Sequence, residues 1–233
     1  MKNTHPSIYL IAGGIRGARK GPDPLLVSAL AQAGHARPSI AYIGAASDDN
    51  PDFFNWMTNS LKQAGAGKVT MAPLVSPRAD LVKTREIIAD SDMVFLSGGD
   101  VEAGMQHLEE RGIIPFLEKL FLAGQPFFGM SAGSIMLSRN WVRWVDPEDD
   151  STCEVFPCLG FTPVLCDMHA ESDDWVELKM LLKLGPRGIG YGIPAGAALR
   201  VEAKGVVTAL GKPVQQFKLQ KKKIVRLEPL EPQ

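Results

Sequence analysis

The chain has 233 residues, enough to bury one sizeable core without dividing. Its 25 Lys and Arg stand against 26 Asp and Glu, a net charge of −1 that argues against a nucleic-acid-binding or membrane-binding surface. Three cysteines, Cys153, Cys158 and Cys166, have no framework spacing, and the apolar run at residues 8–12 is too short for a signal-peptide core or a membrane span. A reducing, cytoplasmic setting is expected.

In chain order the sequence alternates strand-like and helix-like segments. Nearly continuous apolar runs at 7–12, 39–44, 68–72, 92–97 and 126–130 predict strands buried on both faces of a parallel sheet. Segments 22–33, 51–64, 78–89 and 101–123 predict helices, several opening on proline or following aspartate. A further apolar run covers 161–166, and a helix is expected over 173–184. Beyond Ala198 short apolar runs sit around Lys204-Gly205, Gly211-Lys212 and Lys221-Lys222-Lys223. They predict an antiparallel C-terminal meander closing one edge of the sheet, with the lysines in a solvated turn or guarding an edge strand. No repeat, linker or boundary divides the chain. The expectation is a single α/β domain over 1–233, a three-layer sandwich with a mostly parallel central sheet.

Gly129-Met130-Ser131-Ala132-Gly133, between a strand-like and a helix-like run, has the G-x-S-x-G pattern of a nucleophile elbow. Such a turn is too tight for a side chain at either glycine, and it holds the serine hydroxyl exposed at the strand's C-terminal end. Earlier, Ser97-Gly98-Gly99-Asp100 ends another apolar strand. Asp100 reads first as a helix cap. If the two strands are neighbours, the Gly99 and Ala132 N–H groups converge on one point, as an oxyanion hole requires; a plain tight turn is the competing reading.

A serine hydroxyl needs a base, and the chain offers four histidines. His5 lies in the terminal tail, His35 in a polar turn and His107 within a helix-like run. His169 follows the run 161–166 and so stands at a strand end, the usual address of α/β active sites. Cys153, Cys158, Cys166 and His169 also raise a zinc alternative, although the two closely paired ligand turns typical of such sites are missing. The loop Gly13-Gly14-Ile15-Arg16-Gly17 lacks G-x-G-x-x-G spacing. No metal and no cofactor are expected.

Leu96-Ser97-Gly98-Gly99-Asp100, Gly129 to Ser134, and Asp167-Met168-His169 resemble the three signature segments of the S51 serine peptidases, the family of aspartyl dipeptidases and cyanophycinases. The resemblance implies a class I glutamine amidotransferase-like fold, Ser131 as nucleophile and His169 as general base. It implies a Ser-His-(Asp) acyl-enzyme mechanism on a small peptide or amide, with a homodimer as a candidate assembly. Asp146, in the acidic loop after the elbow, stands where the dipeptidase branch places its third residue; Asp167 is an outside candidate. Gly192 to Leu199 resembles a late family segment, but Ala195 replaces its usual acidic residue.

The departure is larger after His169. Relatives carry arginines there, and in aspartyl dipeptidases a basic group receives the substrate's acidic side chain. This chain has Ala170-Glu171-Ser172-Asp173-Asp174-Trp175-Val176-Glu177. The acidic run either caps the following helix or faces the cleft and selects an amine or a basic residue. Both readings leave Asp-X substrates unsupported, unless Arg16, Arg19 or Lys20 supplies the charge. Two rivals stay open: a catalytically altered relative with a binding or regulatory role, and an α/β-hydrolase-type esterase, whose Ser-Asp-His order is the same but whose histidine normally lies nearer the chain's end.

Overall fold

Short segments of almost uninterrupted apolar residues pair into a parallel sheet. The computed structural model, which describes residues 5–13, 21–146 and 148–233, forms them into β1 (Ile8–Ile11), β2 (Ile40–Ile43), β3 (Val69–Met71), β4 (Met93–Leu96) and β5 (Phe127–Met130). Between them run α1 (Pro24–Leu30), α2 (Pro51–Gln63), α3 (Leu81–Ala89), α4 (Val101–Glu110) and α5 (Ile114–Leu122). Asp23, Asn50, Asp80 and Asp100 cap the first four of these helices through their side chains, and proline opens α1 and α2.

The helices cover both faces of the sheet. Side chains alternate along each strand, so in β2 Tyr42 faces α1 and α2 with Leu26, Met57 and Leu61, whereas Ile43 faces the opposite core with Ile88, Leu108 and Leu117. After β5 follow α6 (Ala132–Leu137), β6 (Asn140–Trp144), β7 (Cys153–Pro157), β8 (Leu165–Met168), α7 (Val176–Leu184) and β9 (Ile189–Ile193). The chain ends in β10 (Ala198–Val201), β11 (Val207–Leu210), β12 (Val214–Gln220) and β13 (Lys223–Leu230). Among the described residues the central sheet runs β11-β10-β1-β5-β4-β2-β3, parallel from β1 to β3 and antiparallel at β10 and β11. Chain order reverses around β5, which lies between β1 and β4, and α/β sheets form a ligand crevice at such a switch.

Two expectations are corrected. The helix expected over 101–123 is two helices, α4 and α5. Gly112 takes a left-handed conformation at φ 58°, and Pro115 at the start of α5 has no N–H for a continuous ladder. The C-terminal meander divides: β10 and β11 extend the central sheet, whereas β12 and β13 join β9 and β8 in a second sheet under α7, packed on Trp175, Leu178, Leu182 and Phe217. Lys221 and Lys222 form the exposed β12–β13 turn, as expected. The β6–β7 hairpin was not foreseen, because only Val142 of β6 is fully buried and its alternation is weak. Among the described residues no helix is long and apolar enough to cross a membrane.

Candidate active site

The turn from β5 into α6 is forced by contact. An added Cβ at Gly129 would lie 2.5 Å from the Gly133 carbonyl, and one at Gly133 only 2.1 Å from the Leu96 carbonyl oxygen of β4. Both positions therefore exclude a side chain. Ser131 between them sits at φ 51°, ψ −121°, a region that non-glycine residues rarely enter. Its N–H donates to the Ile11 carbonyl at 2.8 Å and Ser134 Oγ to the same oxygen at 3.0 Å, pinning the elbow to β1. Gly133→Ala is expected to cost about 3 kcal/mol or more, because backbone rather than a movable side chain must give way. Urea unfolding checks this; an unchanged midpoint would contradict it.

His169 arrives from the second sheet. It follows β8 directly, at φ 45°, with its N–H held by the Ile193 carbonyl at 2.9 Å. Its Nε2 lies 2.8 Å from Ser131 Oγ. A hydroxyl donating to an imidazole nitrogen at this distance can be deprotonated without rearrangement. The other histidines lie elsewhere: His107 pairs with Asp48, His35 with Asp92, and His5 stacks on Phe121.

Gly99 and Ala132 border the same cleft of about 320 Å³ as Ser131 and His169. Gly99 has φ 142°, and a Cβ there would overlap the Ala46 carbonyl oxygen at 1.7 Å, so this backbone requires glycine. Ala132 is the first residue of α6, so its N–H has no acceptor within that helix. Gly99 and Ala132 thus line the same cleft as the serine.

The structure does not bring Asp146 to the imidazole. It lies beyond β6, in the link to β7, where its Oδ1 accepts the Glu148 N–H at 3.0 Å, and it does not border the cleft. Asp167 does border the cleft and is buried. Its Oδ1 accepts its neighbour's N–H from Met168 at 2.7 Å, while Oδ2 has no hydrogen-bond partner of good geometry. Burial first, and then the Glu177 and Asp173 charges, push its carboxyl up to about 7. A carboxyl so raised holds its proton in the folded chain and loses it in the unfolded chain between about pH 4 and 7. Stability therefore falls as pH rises through that window, by on the order of 4 kcal/mol. Asp167→Asn should lack this loss, so its stability relative to the native chain should rise toward neutral pH in urea titrations. A constant difference from pH 4 to 8 would contradict the assignment.

The segment after His169 divides its acidic groups. Asp174 turns away to Lys179 and Arg226. Glu171 accepts the Ala195 N–H at 2.8 Å, so a carboxylate reaches the backbone of the position where a family acidic residue was expected. Asp173 caps the start of α7 through the Trp175 N–H at 2.9 Å and also borders the cleft. Glu177 borders it too, accepting from Trp141 Nε1 at 2.8 Å, and burial raises its carboxyl. The acidic run thus both meets the start of α7 and borders the cleft. Trp141 was not singled out from the sequence, and its place in the poorly patterned β6 gave little signal. Arg16, Arg19 and Lys20 lie outside the described residues.

Cys158 and Cys166 are thiols raised by burial, Cys158 to about 12. Among the described residues no three His, Cys, Asp or Glu side chains converge to hold a metal, so Cys153, Cys158, Cys166 and His169 do not assemble the zinc alternative.

The model of the family described as peptidase family S51 matches residues 10–209. The chain belongs to peptidase family S51. It is similar to Peptidase E of Haemophilus influenzae, with 25% identity over 126 residues, covering 51% of this chain and 58% of that protein. It is also similar to Peptidase E of Pasteurella multocida, with 24% identity over 150 residues, covering 61% and 63%. These matches span less than two thirds of the relatives' length. The crystal structure of a peptidase from an acI-B1 Actinobacterium superposes with a TM-score of 0.73 at 17% identity, covering 98% of each chain. This S51 chain therefore has the expected fold, with its mostly parallel central sheet.

Proposed function

We propose that the chain is a serine-type hydrolase of peptide or related amide bonds, with Ser131 as nucleophile and His169 as general base. The observation that carries this reading is the 2.8 Å contact between Ser131 Oγ and His169 Nε2 at a strained elbow. As Ser131 Oγ bonds to the carbonyl carbon, its proton passes to Nε2, and the carbonyl oxygen gains charge beside the Gly99 and Ala132 N–H groups. His169 then returns the proton to the leaving nitrogen as the C–N bond breaks. Water, deprotonated by the same imidazole, releases the acyl group. Neither Asp146 nor Asp167 hydrogen-bonds to His169, so the pair carries the proposal without a third residue.

Membership of S51 supports peptide substrates, and the cleft argues against an acidic one. Asp173 and Glu177 border it, and a substrate carboxylate placed there meets like charge. Asp-Leu is expected to be hydrolysed at least about tenfold more slowly than Ala-Leu, a modest difference for charge repulsion in a partly dry site. Product analysis by mass spectrometry with Ser131→Ala as control tests both statements. Hydrolysis that survives Ser131→Ala would remove the mechanism, and faster cleavage of Asp-Leu would reverse the specificity.

A further inference from the structure

Three carboxylates, Asp167, Asp173 and Glu177, line the cleft that holds Ser131 and His169. Among the described residues the cleft has no lysine or arginine in its lining, and none of the three forms an ion pair. The nearby cations are engaged elsewhere, Lys179 and Arg226 on Asp174 and Arg143 on Glu102 and Glu154.

The protein orients these carboxyl groups without pairing any of them with a cation among the described residues. Glu177 receives the Trp141 indole N–H, Asp173 the Trp175 N–H and Asp167 the Met168 N–H, all uncharged donors. Asp167 is 4% exposed, and its Oδ2 has no hydrogen-bond partner of good geometry, although the Leu178 N–H acts on the same carboxyl. A buried carboxyl with an open oxygen keeps its proton until a cation beside it favours the charged form. The three also repel one another, since Glu177 and Asp173 both disfavour ionisation of Asp167. Among the described residues no three acidic, His or Cys side chains are placed to hold a metal, whereas an organic cation needs hydrogen-bond reach rather than a closed coordination shell.

We propose that the carboxylates of Asp167, Asp173 and Glu177 form a subsite for a cationic group of the substrate, an ammonium or guanidinium carried by the residue bound beside Ser131. The charge comes either from a free peptide N-terminus or from a lysine or arginine side chain. The proposal rests on the reading of Ser131 as the reacting group only for where the scissile bond lies; binding of the cation requires no turnover.

The test is therefore calorimetric binding to the Ser131→Ala chain, with Lys-Leu, norleucine-Leu and the N-acetylated form of each. A side-chain cation predicts that both lysine peptides bind about tenfold or more tighter than their norleucine counterparts. An N-terminal cation predicts instead that acetylation costs that factor in both pairs. Adding Glu177→Gln and Asp173→Asn, which keep the acceptor for Trp141 and the cap of α7, should abolish the preference, with circular dichroism confirming the fold. Glu177→Gln alone should reduce it. N-acetyl-norleucine-Leu binding as tightly as Lys-Leu, no detectable binding of Lys-Leu, or a preference that survives the carboxamide variants would each overturn the subsite. Covalent labelling of Ser131 in the native chain is an independent readout: labelling without charge preference defeats the subsite alone, and charge preference without labelling defeats the hydrolase reading alone.

Discussion

Ser131→Ala is expected to lower peptide turnover by about 10⁶-fold while shifting the melting temperature by no more than a degree or two. The size follows from the chemistry: without Oγ no acyl-enzyme forms, and the remaining N–H donors stabilise only the slow attack of water. The small effect on stability follows from the site. Among the described residues Ser131 Oγ bonds only to His169, in the cleft, whereas the backbone that shapes the elbow is held by the Ile11 carbonyl and by the glycines on either side. Alanine also lacks any β-branch that would worsen the strain at φ 51°. Steady-state kinetics and a thermal scan check the two parts separately. Turnover within tenfold of the native chain would place the chemistry elsewhere.

His169→Ala should lower kcat by about 10⁴-fold or more, again with little loss of fold. The imidazole accepts the proton that makes Ser131 nucleophilic and returns it to the leaving nitrogen, so its loss affects both halves of the reaction. Its backbone at φ 45° is set by the bond from its N–H to Ile193, which alanine preserves. A fall of only a few fold would reduce the 2.8 Å contact to a structural one. Unfolding together with release of a bound metal would revive the Cys-Cys-Cys-His alternative.

The parts of this molecule legible in the sequence were those where the physics is local. Strands β1, β2, β4 and β5 are buried on both faces and read as apolar runs, whereas β3, at the sheet edge, is only half-buried; the elbow is written in two glycines whose Cβ positions are occupied by neighbouring backbone. His169 stood out because it ends a buried strand. What failed depended on partners distant in sequence. The division of the C-terminal meander is decided by which earlier strand each hairpin meets, β1 for β10 and β9 for β12, and no local pattern encodes that choice. The weakly alternating β6 hid Trp141, and with it the reason Glu177 is held in the cleft. Asp146 was placed by spacing along the chain, but the turn beyond β6 commits its carboxylate to the Glu148 N–H. The acidic run after His169 could be read as a helix cap or as a cleft wall because both descriptions apply, Asp173 serving as each at once.

The central claim is that Ser131 is an activated nucleophile, and intact-mass spectrometry after treatment with a fluorophosphonate tests it without knowledge of the substrate. The native chain should gain one adduct, mapped by peptide sequencing to residues 129–133, whereas Ser131→Ala should gain none and His169→Ala should react far more slowly. An unlabelled native chain, or equal labelling of the native and Ser131→Ala chains, would contradict the account.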